Sequence, residues 1–434
     1  MDLTRFAPKN FVQTVLRIPS RLRRSLSEYR FYAYFAILGP GIISASSGNE
    51  VSGIATYSTA GADYGYTLLW TFIPMTLFFI VAQEMCVRMG VVTGQGLADL
   101  IREQFGVRWT TIVMLALLTA NAGIIIAEFV GIAQASELFG IPRYVSVPIT
   151  ALVIWWLVVR GTPKRVEQAF LLMSLVFLAY IFSAFLAKPD WAVVGRELVT
   201  PTFRFDSAYL FTVMALIGTT ITPFMQLYVQ SSVVEKRLDK EDLSVARADA
   251  VFGVIFANVI AAFIVISTAA TLHVSGVQIE SAAEAAKALA PVAGKYATMI
   301  FAVGLFGAAM LAMGVLPLAT AYSLSEALGF EKGLSRSFRE APIFISIFTA
   351  LIIFGAGVAL IPTIPQFRLL LLTQCINGLL LPVMLIAIVN LANNVEIMGE
   401  YRNRLVHNVF AVGTTIIVSI LSLLLIGKTI ADMF

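Results

Sequence analysis

Charge is scarce in this chain: Asp, Glu, Lys and Arg together supply 13% of its 434 residues, about half the share usual in a soluble domain. With 59% hydrophobic residues, that scarcity excludes a water-soluble globular fold. Cysteine occurs only at Cys86 and Cys375, both inside apolar segments, which argues against a disulfide framework or a cysteine metal site. Histidine is equally rare: His273 and His407 fall at the ends of apolar segments, leaving no imidazole for a proton shuttle at mid-membrane depth. There is no phosphate-binding loop, zinc-ligand spacing or nucleophile motif, so the chain is not expected to be an enzyme, to hold a resident cofactor or to bind nucleic acid. Residues 1–31 carry basic residues but no compact apolar core with a small-residue cleavage site, and read as a cytosolic basic tail.

What the sequence has instead is a succession of apolar runs. Runs of about 20 residues cross a hydrocarbon core of about 30 Å as helices, whereas barrel strands would alternate. About eleven spans are expected, near residues 32–58, 64–88, 109–137, 144–160, 166–187, 208–233, 247–272, 293–327, 341–362, 367–394 and 406–427. An all-α protein embedded in a lipid bilayer follows, in a plasma or inner membrane. Lys164, Arg165, the run EKRLDK at 235–240 and EYRNR at 400–404 fall on one side, which places the N-terminus in the cytoplasm and the C-terminus outside.

The linker 188–207 divides the spans into a first repeat, 32–187, and a second, 208–394, with 395–434 forming an appended eleventh span. Each repeat opens on an anomalous span. The first contains SASSGNEVSG at 44–53, with hydroxyls, glycines, an amide and a carboxylate at membrane depth; the sixth contains GTTITPFMQ at 218–226. Matched interruptions in two halves mark a five-plus-five inverted repeat of the LeuT-like kind, with helices 1 and 6 discontinuous and a site at the midplane. Backbone freed by an unwound turn is tolerated there only where it lines a cavity or meets a ligand. Glu50 stands at the first break. A carboxylate near the bilayer centre costs about 2.5 kcal/mol or more, so it is paired, protonated or functional.

Several stretches resemble the Nramp family of divalent-metal transporters. They are Gly39-Pro40-Gly41, AGADYGYTLLW at 60–70, EMCVRMGVVTGQGLADLIRE at 84–103, AEFVG at 127–131, LFGIP at 138–142, IGTTITP at 217–223 and MGEYRN at 398–403. The family carries Asp-Pro-Gly-Asn in its first break, and its spacing puts Glu50 and Gly53 at the two metal-ligating positions. In the sixth helix the family has Met-Pro-His with a ligating thioether, where this chain has Thr222-Pro223-Phe224. Met225 and Gln226 follow in uncertain register. Gln374 matches a glutamine that the family brings to the metal, and Asn377 lies one turn on. The family's proton path pairs an Asp with the third-helix Glu. Here Ile125 precedes Glu128, which is left as a remnant of that path, bonded to backbone or to an Arg of the ninth span. The second family histidine is Gln230.

Losing the thioether and the Asn leaves Glu50, Thr222 and nearby carbonyls, an oxygen set suited to Mg²⁺, Ca²⁺ and Mn²⁺. Mg²⁺ prefers to keep several waters. The sequence therefore resembles the Nramp-related magnesium transporters. It is expected to import Mg²⁺, and Mn²⁺ with it, as a largely hydrated ion by alternating access without proton coupling. Open alternatives are a site that Met225 swings into and makes soft, a proton-coupled Mn²⁺ or Fe²⁺ importer of the same fold, and an organic-cation or amino-acid carrier. The order of preference among the ions and the oligomeric state are left open.

Overall fold

The computed structural model describes residues 39–161, 163–276, 279, 297–334, 336, 338–361 and 366–431. The expected basic tail 1–31, the first residues of span 1, the stretch 280–296 that includes the start of span 8, and the last three residues lie outside the described residues. Among those described there is no β-strand, and nine helical stretches, counting the broken span 6 as one, are long and apolar enough to cross a membrane. The two remaining spans are composite. Span 1 is α1 (Pro40–Ser46) and α2 (Val51–Tyr64), joined by a 3-10 turn; span 5 is α7 (Pro163–Ser174), a 3-10 turn and α8 (Leu178–Leu186).

The unbroken spans of the first half are α3 (Phe72–Thr93), α5 (Val107–Glu137) and α6 (Arg143–Arg160), with a short amphipathic helix, α4 (Leu97–Phe105), between spans 2 and 3. After α9 (Trp191–Val199) in the linker come α10 (Ser207–Thr220) and α11 (Pro223–Glu235), the two halves of span 6. Then follow α12 (Leu243–Thr268), α13 (Ala297–Leu328), α14 (Pro342–Ala359), α15 (Gln366–Asn393), the single turn α16 (Val395–Met398) and α17 (Leu405–Ala431). The five-plus-five order and both discontinuous spans stand as the sequence predicts. Span 2 runs deeper in sequence than expected, to Thr93, where Gly94 adopts φ +66° and ends it.

The broken spans sit at the centre. α1 packs on α12 and α11, while α2 packs on α12, α15, α10 and α5. At the start of α1 the carboxylate of Asp249, on α12, accepts from the Gly39 and Gly41 amides at 3.0 and 2.7 Å. These are donors that a helix N-terminus leaves without intrahelical partners. Gly218 of α10 meets Gly378 of α15 so closely that a Cβ at Gly218 would overlap the Gln374 carbonyl oxygen. Such small-residue contacts let helix backbones approach in a membrane, and this one brings the Gln374 side chain to the first break.

Candidate metal site at the helix breaks

Gly48 and Asn49 close the 3-10 turn Ser47–Asn49, after which Glu50 is extended (φ −67°, ψ 177°) and its carbonyl accepts from Ile54 to start α2. In span 6, Ile221 (φ −122°, ψ 51°) and Thr222 (ψ 135°) leave the helix, and Pro223, which lacks an amide hydrogen, opens α11. The N-termini of α2 and α11 and the C-termini of α1 and α10 thus flank the two breaks. They offer partial positive and negative charge in the manner of discontinuous transporter helices.

Glu50 is fully buried. Its Oε1 accepts from Gln374 Nε2 at 2.5 Å and lies 3.3 Å from the Ser52 hydroxyl. Its Oε2 is buried and accepts from no protein donor. Gln374 Nε2 also reaches Ser52 Oγ at 3.0 Å, and Asn377 Nδ2 lies 3.5 Å from Gln374 Oε1, leaving Asn377 Oδ1 buried without a donor. Ser52 sits 3.5 Å from Glu128 Oε1, so its single proton serves one carboxylate at a time. Glu128 Oε2 accepts from the Val51 amide at 3.2 Å, capping the N-terminus of α2 from another helix. Of the two partners open to Glu128, backbone is the one found; α14, the ninth span, contains no Arg. Among the described residues neither acid belongs to an ion pair.

The other candidates are placed differently. The Thr222 hydroxyl donates to the Gly218 and Thr219 carbonyls at 2.7 and 3.1 Å, closing the end of α10. Oriented with its nitrogen toward them, the Gln226 amide bonds the Thr222 and Pro223 carbonyls at 2.5 and 3.2 Å. Gly53 faces the Gly48 carbonyl, which also accepts from Thr219 Oγ1 at 3.2 Å. Met225 lies across the break: a Cβ on Gly48 would stand 2.5 Å from its Cε and 3.6 Å from its sulfur. Glu50, Gln374, Asn377 and Glu128 therefore form one cluster, Met225 covers Gly48 beside it, and the Thr222 hydroxyl and Gln226 amide nitrogen donate to local backbone carbonyls.

Sequence reasoning missed Ser52, the hydroxyl that joins both acids to Gln374. Its signal was its place two residues after Glu50 on the first turn of a helix that had to begin at the break. Ile125 is buried where a Cβ on Gly355 would meet it, and Gln230 donates to the Gln95 carbonyl at 3.0 Å. Ile125 is thereby committed to packing between spans, whereas Gln230 keeps its Oε1 buried without a donor. His273 Nδ1 is 2.7 Å from the Ala62 carbonyl, at the far end of α2 from Glu50. Among the described residues no three His, Cys, Asp or Glu side chains group as a metal cluster. A cation here would therefore rely on two carboxylates and neutral oxygens.

Residues 41–428 match the family model described as natural resistance-associated macrophage protein-like, Nramp. The divalent metal cation transporter MntH of Nostoc sp. is 30% identical over 390 residues, 85% of this chain and 86% of that one. Its namesake from Deinococcus radiodurans is 29% identical over 333 residues, 71% of this chain and 74% of that protein. Among solved structures, the Eremococcus coleocola manganese transporter in complex with an aromatic bis-isothiourea substituted compound superposes with a TM-score of 0.76 at 21% identity, covering 93% of this chain and 88% of its own. Mhp1, a nucleobase-cation-symport-1 family transporter in a closed conformation, gives 0.55 at 15% identity, covering 90% of each chain.

Proposed function

The chain belongs to the Nramp family, and from that premise we propose that it moves divalent cations across the membrane by alternating access. Mg²⁺ is the principal substrate and Mn²⁺ is accepted; the ion retains much of its water, and no proton is carried with it. The observation that carries the reading is the buried Glu50 Oε2 without a protein donor, grouped with Ser52, Gln374 and the unpartnered Asn377 Oδ1. Buried acceptors in folded proteins normally find a donor or an ion. Carboxylate, hydroxyl and amide oxygens are the donors that Mg²⁺ and Mn²⁺ prefer, and Mg²⁺ gives up its waters reluctantly.

Charge balance supports the same reading. Glu50 and Glu128 supply up to two negative charges, matched by one divalent cation rather than by a basic side chain. Inward movement of two charges through about 100 mV releases about 4.6 kcal/mol, enough to drive uptake without a proton gradient. Ile125, at a position where the family carries a proton-path acid, is occupied in packing, and Gln230, where the family carries a histidine, is a neutral amide bonded to the Gln95 carbonyl. The cytoplasmic N-terminus and external C-terminus inferred from loop charge belong to this proposal.

One observation favours a second reading. The Met225 thioether over Gly48 would suit a softer ion such as Cd²⁺. Competition of Cd²⁺ with Mg²⁺ uptake in proteoliposomes separates the two. With an oxygen site, Met225→Leu leaves Cd²⁺ competition within about twofold of the unaltered protein. A loss of about tenfold, worth about 1.4 kcal/mol, would assign the sulfur to the metal.

A further inference from the structure

A cavity of about 420 Å³ lies between α3, α10 and α17, away from the polar cluster. Its volume falls within the range of about 300–1,000 Å³ typical of ligand sites. Its walls are apolar side chains such as Met75 and Phe78 of α3, Val213 and Ile217 of α10 and Leu421 of α17, which rules out hydrated ions and sugars as occupants. Ile417, Ile420 and Leu424 form a side that is 41–51% exposed. On a transmembrane helix, exposure of this kind is exposure to hydrocarbon, so the cavity opens to lipid.

The two ends differ. One end reaches Ile221, the fully buried residue at which span 6 leaves its helix. The other carries Trp70 and Phe203, aromatic residues of the kind that settle at headgroup level. Arg204 follows Phe203 directly, and Lys428 lies one turn beyond Leu424 on the same face of α17; both are exposed. Basic residues at the mouth of an apolar slot complement a lipid phosphate.

We propose that this groove is a phospholipid site. One acyl chain lies between α3, α10 and α17 with its end against Ile221, and an anionic headgroup sits near Arg204 and Lys428. The chain then packs along the outer half of span 6 and touches the residue before Thr222, so lipid occupancy bears on how freely that break rearranges during transport.

Native mass spectrometry of the full chain, loaded with phosphatidylglycerol or with phosphatidylcholine of identical chains, tests the site. The unaltered protein is expected to retain one phosphatidylglycerol in about tenfold preference to phosphatidylcholine. Arg204→Gln with Lys428→Gln should equalise the two lipids. Ile420→Trp fills the groove from its half-exposed side without touching the core and should lower retention of both about tenfold; Val213→Trp fills it from within. Metal uptake should rise with phosphatidylglycerol content in vesicles of the unaltered protein and become insensitive to it in Ile420→Trp. Undiminished retention in both Trp variants would overturn the proposal. So would a protein dimer lost in Ile420→Trp with lipid retention unchanged, which would assign the groove to a second copy of the chain.

Discussion

Glu50→Gln is expected to abolish divalent-cation uptake while leaving the protein at least as stable as before. The substitution preserves size and leaves an oxygen beside Gln374 and Ser52, but removes the formal charge that faces the break through Oε2. Truncating one partner of a buried charge contact costs about 2–5 kcal/mol, which on the binding step alone is roughly thirtyfold to several thousandfold. Stability should move the other way. In the absence of metal the carboxylate is buried with no basic partner, and replacing an uncompensated buried charge with an amide relieves desolvation. An unfolding temperature equal to or above that of the unaltered protein, together with flux at background in proteoliposomes, is the expected pair of results. Normal uptake by Glu50→Gln would remove the residue from the site. A collapse in stability would make it a structural residue.

The second large effect is at Gly53. The family resemblance suggests that Asn at this position should restore an amide ligand and tune selectivity toward Mn²⁺. The geometry predicts loss instead. A Cβ at Gly53 would overlap the Gly48 carbonyl oxygen and stand 2.7 Å from Thr219 Oγ1, and the carbonyl it displaces is the one held by Thr219. Backbone on one side and a hydrogen-bonded hydroxyl on the other leave little room to yield, so Gly53→Ala alone should cost about 1–3 kcal/mol and Gly53→Asn more. Thermal unfolding in detergent, followed by Mn²⁺ uptake, checks both. A stable Gly53→Asn with raised Mn²⁺ preference would show that the closeness of Gly48 and Gly53 constrains nothing.

Where the chain breaks its helices was legible because unwinding in a membrane demands particular residues. Gly48, Gly53 and Pro223 stand in runs otherwise fit to span the bilayer, and their pairing between two halves fixes the architecture. Gln374 was legible through resemblance. What its neighbours do was less so, because short polar side chains choose among nearby backbone groups, and that choice depends on geometry that the sequence does not contain. Thr222 and Gln226 turn back onto carbonyls that the span 6 break leaves open. Glu128 has no partner identifiable in sequence because its partner is the Val51 amide, freed only by the break in another span. The interruption of span 5 and the π-helical turn Ala269–His273 at the end of α12 carry no Gly or Pro signal of their own and were not foreseen.

The most direct measurement is Mg²⁺ uptake into proteoliposomes at a clamped, inside-negative potential with a pH-sensitive dye in the lumen. Uncoupled transport through the Glu50 cluster gives uptake that grows with the potential, saturates with Mg²⁺ and leaves the luminal pH unchanged at every Mg²⁺ concentration. Luminal acidification that scales with Mg²⁺ and vanishes in Glu128→Gln would contradict it, and would make Glu128 the proton carrier of a coupled transporter.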